Sequence, residues 1–146
     1  MTSVFMDSSA LFAAILSTTG AARALIVLRL NNRIQLVISE DVLVETRRNI
    51  ACKAPELEPL LDRLLNEIDF EVVASPSKED IRAAEEYVAA KDAFIIAAAV
   101  EANVEYVATF DRKHLIDPPD VSARSGLHIG TPGDILNEMQ GSFGRE

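Results

Sequence analysis

Apolar positions follow two rhythms along the chain. Short, mostly apolar runs at 4–6, 34–38, 70–74 and 106–110 lack the strict alternation of a half-exposed strand. Such runs fit strands covered on both faces, as in parallel sheets packed between helices. Between them lie segments of helical character at 8–17, 21–30, 55–68, 77–88 and 92–103. Thr18, Thr19 and Gly20 break the first two apart. Ser39, followed by Glu40 and Asp41, predicts an N-cap with acids in the first turn of a helix running to about Cys52. In 55–68, Leu57, Leu60, Leu61, Leu64 and Leu65 recur at 3.6-residue spacing. A short strand at 127–129 and a helix at 132–139 complete the set. Strands alternating with helices predict a three-layer α/β/α sandwich with a mainly parallel central sheet. One domain over 1–140 and a loose tail over 141–146 are expected.

In an open parallel sheet the ligand site lies beyond the carboxyl ends of the strands. Asp7 and Asp111 stand at the ends of two of these runs. Each could equally be the N-cap of a following helix, Asp7 before Ser8 and Ser9, Asp111 before Arg112 and Lys113. Glu45 lies beside the stripe of Val42, Leu43, Thr46 and Ile50, where a solvent-exposed glutamate is unremarkable. Asp92 is the sharpest case. Ile95, Ile96 and Ala99 at i+3, i+4 and i+7 put its carboxylate on the apolar face of DAFIIAAAV. An unpaired buried carboxylate is costly, and a bound cation resolves the conflict.

The 146 residues suffice for a core without staples, and the one cysteine, Cys52, excludes an internal disulfide and suits a reducing cytoplasm. The start MTSVFMDSSALFAAIL lacks a basic segment and carries Asp7 in its apolar stretch, so it reads as a strand and a helix rather than a signal peptide. No run reaches the roughly 18 apolar residues of a membrane span. A net charge of −9 is not the footprint of a protein coated by nucleic acid. Acids that bind divalent cations can nevertheless reverse the local field. Converging carboxylates suit hard cations such as Mg²⁺ or Mn²⁺, whereas His114 and His128 have no zinc spacing. His114, near Asp111, reads as a surface histidine within reach of a substrate.

These residues resemble the PIN domain, particularly the VapC-like toxin nucleases of toxin–antitoxin pairs. VFMDSSAL is similar to the family's opening strand and VISEDVLVETRRNI to its glutamate helix. KDAFIIAAAVEANVEYVATFDRKHL resembles the segment carrying its third and fourth acids, and is the most specific of the three. The resemblance implies a metal-dependent endoribonuclease with Asp7, Glu45, Asp92 and Asp111 as catalytic and metal-binding acids. Ser8 or Ser9 and Thr109 are the candidate hydroxyls behind them. Ile96, one turn after Asp92, stands where some members carry another acid, so one or two ions are compatible with the pattern. Bound Mg²⁺ or Mn²⁺ would lower the pKa of an attacking water and steady the leaving oxygen. Lys91, Arg112 and Lys113 are candidates for RNA phosphate contacts or ordinary solvated charges. The resemblance also implies a homodimer and an antitoxin partner in the cytoplasm, with the helices at 21–30 and 55–68 offering apolar surface. Two other readings remain compatible with the residues: a non-catalytic interaction module, and a phosphohydrolase with an aspartyl nucleophile. For the latter Asp7 is well placed, but Ser9 stands where a second aspartate is usual.

Overall fold

A computed structural model describes residues 1–143, with the side chains of 142 and 143 excepted. Five strands form one sheet in the order β3-β2-β1-β4-β5, and every neighbouring pair is parallel. They are β1 (Thr2–Met6), β2 (Ile34–Ser39), β3 (Glu71–Val73), β4 (Tyr106–Ala108) and β5 (His128–Gly130). Successive residues of a strand point to opposite faces. Val4, Phe5 and Met6 in sequence all have no exposed surface, so helices cover β1 from both sides. The protein is therefore the three-layer α/β/α sandwich expected, with a sheet that is parallel throughout.

Helices α1 (Ser8–Leu16), α2 (Ala21–Leu30), α3 (Glu40–Lys53) and α4 (Glu58–Glu67) follow in the first half, and α5 (Lys78–Glu85) packs on α6 (Ala93–Glu101) in the second. The chain closes with α7 (Pro119–Ser125) and α8 (Pro132–Phe143), the latter against α2. Local chemistry explains most boundaries. The Ser39 hydroxyl accepts the Val42 amide at 3.1 Å and caps α3 as expected. Asn32 and Asn103, both at φ 57°, end α2 and α6 in the left-handed region that asparagine tolerates.

Several boundaries differ from the pattern-based reading. Residues 55–57 form a 3-10 turn before α4. Strand β4 ends at Ala108 rather than at 110, because the Ser9 hydroxyl captures the Phe110 amide at 3.0 Å and turns the chain off the sheet. Asp92 both ends a 3-10 turn over Ala90–Asp92 and is the N-cap residue of α6, without a side-chain capping bond. Helix α7 falls where no element is expected; Pro119 in its first turn and Gly126 just past its end, at φ 76°, are its signals. Helix α8 continues through 141–143, and the remaining tail residues, 144–146, lie outside the described ones.

Of the apolar helix faces, Leu25, Ile26, Leu61 and Leu64 go to the core, while Val27, Leu30 and Leu60 stay exposed. No single helix among the described residues is long and apolar enough to cross a membrane; α1 and α2 meet at a bend of 88°.

Candidate metal centre

Strand order reverses at β1, whose neighbours β2 and β4 lead to opposite edges. A crevice at the carboxyl end of such a junction is where open parallel sheets place ligands. Met6 pairs with Ala108, so the next step along each strand sets Asp7 beside Thr109. Asp7 is 3 % exposed and Thr109 fully buried.

The Asp7 carboxylate is held from three sides. Its Oδ1 accepts the Ala10 amide at 2.9 Å and the Ser9 hydroxyl at 2.7 Å, and its Oδ2 accepts the Thr109 hydroxyl. Burial pushes the Asp7 pKa above 3.8; bonds from Thr109, Ser9 and Ala10 oppose that rise, and the charge of Glu45 adds to it. Asp7 is thus an N-cap of α1, as its position before Ser8 and Ser9 allows. The cap does not exhaust it, because each carboxylate oxygen can accept more than one partner.

Asp111 shows the same double use. Its Oδ1 accepts the His114 amide at 3.1 Å, capping the π-type turn Arg112–Ile116, and the His114 ring lies with Nδ1 at 3.2 and 3.3 Å from the two carboxylate oxygens. Burial alone would raise the Asp111 pKa; the His114 amide, the His114 ring with its charge, and Lys91 outweigh it and hold the group below 3.8. Thr109 joins the two aspartates, since its oxygen also accepts the Asp111 amide at 3.0 Å.

Asp92 reaches the same place from the turn before α6. Ligand atoms of Asp92, Asp111 and His114 all lie within 4.8 Å of one another. Asp7 and Glu45 are outside that close group. Glu45, half-buried on α3, accepts the Ser8 hydroxyl, which ties α3 to the start of α1. Among the positive groups, Lys91 lies 3.3 Å from Asp92 and 3.7 Å from Asp111, while Arg112 is 3.7 Å from Asp134. Lys113 is exposed.

The donor set fits a divalent cation on one specific observation. Asp92 Oδ2 is buried and has no hydrogen-bond partner among the described residues. The nearby Lys91 ammonium is in ion-pair range of it without hydrogen-bonding geometry. Carboxylate oxygens suit hard cations such as Mg²⁺ or Mn²⁺, and the His114 ring rests on the Asp111 carboxylate.

A parallel α/β sandwich with acids gathered at its switch point defines a class of carboxylate-site proteins. The chain belongs to the PIN domain family, whose model matches residues 4–117. No curated protein matches the chain. Solved structures share the fold at low identity. VapBC2 from Rickettsia felis, solved bound to a DNA fragment from its promoter, is 16 % identical at a TM-score of 0.64, covering 88 % of this chain and 98 % of that one. PAE2754 from Pyrobaculum aerophilum is 17 % identical at 0.66, covering 96 % and 90 %. VapC20 of Mycobacterium tuberculosis, a sarcin-ricin loop cleaving toxin, is 17 % identical at 0.53, covering 75 % and 91 %.

His114, expected from the sequence as a surface histidine within reach of a substrate, is half-buried with its ring on Asp111. Its i+3 spacing from Asp111 was the available signal, since a residue capping a turn faces the one three positions on.

Proposed function

We propose that this protein is a metal-dependent endoribonuclease, the toxin of a toxin–antitoxin pair. The observation that carries the reading is the buried Asp92 Oδ2 without a hydrogen-bond donor among the described residues, within a close group of Asp92, Asp111 and His114, in a PIN-domain chain. Asp7, Glu45, Asp92 and Asp111 would hold Mg²⁺ or Mn²⁺.

When bound, the cation would supply a water of lowered pKa and charge stabilisation for the leaving oxygen. The chain's own residues do the rest. Ser9 and Thr109 fix the Asp7 carboxylate by hydrogen bonds on opposite oxygens, and Ser8 orients Glu45. His114 holds Asp111 in its ionised form. Lys91, Arg112 and Lys113 are the phosphate-contact candidates, and RNA with accessible phosphates, single-stranded or looped, is the substrate class.

The toxin role is supported by the fold similarity to VapBC2 and VapC20. It implies a cytoplasmic homodimer held silent by an antitoxin. A groove of about 380 Å³ lined by Ile15, Leu16, Leu57, Leu60 and Leu64, with Arg23 and Arg63 at hand, suits an apolar partner segment. Expression of the chain alone should slow growth and the Asp7→Asn form should not. Equal harmlessness of both forms rejects the toxin role.

A further inference from the structure

Lys91 occupies an unusual place for a solvent-reaching lysine. It sits inside the turn Ala90–Asp92, next in sequence to the acid it faces, and its side chain is 62 % exposed against 11 % for Asp92 and 25 % for Asp111. Its Nζ stands 3.3 Å from Asp92 Oδ2 and 3.7 Å from Asp111 Oδ2. Those are carboxylates of the same close group in which a divalent cation would be held. Asp111 has a further partner in His114, but Asp92 Oδ2 has no hydrogen-bond donor among the described residues and is in ion-pair range of the ammonium.

We propose that Lys91 is a tethered counter-ion of the metal-free centre, which competes with the divalent cation for Asp92 and Asp111 and must leave them when it binds. The inference rests on reading this group as a metal centre. An ammonium and a divalent ion repel, and Mg²⁺ needs carboxylate oxygens at about 2.0–2.1 Å, closer than an ammonium resting on them permits. Lysine suits the task because it is a compact charge on a flexible stem, able to face two carboxylates without the fixed fork of arginine. Its exposure leaves it a path back to solvent. The loose geometry at Asp92 Oδ2 means that little hydrogen bonding is lost when it goes.

The test is calorimetric titration of the full chain, without RNA, by MnCl₂ and by MgCl₂, in wild type, Lys91→Gln and Lys113→Gln. Removing an exposed competitor of ordinary ion-pair strength should tighten metal binding about fivefold in Lys91→Gln. Lys113→Gln makes the same change in net charge and should move affinity less than about twofold. In EDTA, Lys91→Gln should melt below wild type, and saturating Mn²⁺ should close that gap. Unchanged or weaker metal binding in Lys91→Gln, or an equal gain in Lys113→Gln, overturns the proposal while leaving the metal centre standing. Absence of metal binding in wild type overturns both.

Discussion

The Thr109 hydroxyl bridges two acids that follow neighbouring parallel strands at the same end of the sheet, donating to Asp7 Oδ2 and accepting the Asp111 amide at 3.0 Å. A fully buried hydroxyl in that position couples the geometry of one carboxylate to the backbone of the other. Partners that orient ligand groups matter nearly as much as the ligands themselves. Thr109→Val keeps the shape and removes the coupling. It should lower Mn²⁺ affinity and RNA cleavage roughly 10–100-fold, with Thr109→Ser much closer to wild type. Wild-type cleavage by the valine variant would remove Thr109 from the account.

Asp7 and Asp111 bear oppositely on the pH dependence of metal-free stability. Burial raises the Asp7 pKa above 3.8 in the folded protein, so the fold holds a proton that the unfolded chain releases. That contribution is fully present below pH 3.8 and is lost as pH rises through the folded value. For Asp111 the folded pKa is lowered, so its contribution is present above 3.8 and is lost as pH falls through the folded value. Asn at position 7 cannot ionise. In EDTA, denaturant melts of Asp7→Asn should therefore gain on wild type as pH rises from about 4 toward neutrality; parallel curves would contradict the burial argument.

Ser39 tests the scaffold separately from the chemistry. Its hydroxyl caps α3, the helix that presents Glu45. Ser39→Ala should cost about 1 kcal/mol and lower Tm by roughly 3 °C, with cleavage retained below the melting range. A loss of activity without a loss of stability would assign Ser39 a role beyond capping.

The sandwich was readable because its strands are short apolar runs and its helices carry strong start and stop signals. Helix α2 begins and ends where the apolar pattern sets it, and Ser39 is the cap its neighbours announce. What the pattern concealed was decided by side chains far apart in sequence. Strand β4 stops early because Ser9 takes the Phe110 amide across 101 positions, a contact no local rule contains. The four acids could be singled out along the chain, yet Asp7, Glu45 and Asp111 each had an ordinary alternative. For Asp7 and Asp111 the capping alternative holds alongside any ligand role. The position of Lys91 between Asp92 and Asp111 depends on how the turn at Ala90–Asp92 meets the end of β4, which periodicity does not encode.

The proposed function makes these carboxylates the centre of a metal-dependent ribonuclease. Its most direct test is cleavage of pooled structured RNA by purified, partner-free protein in Mn²⁺ or Mg²⁺, beside EDTA and beside Asp92→Asn shown to be folded by circular dichroism. Cutting should depend on the metal, stop in EDTA and fall to background in Asp92→Asn. Cutting that survives the mutation, or no cutting by wild type that binds metal, would contradict the proposed function.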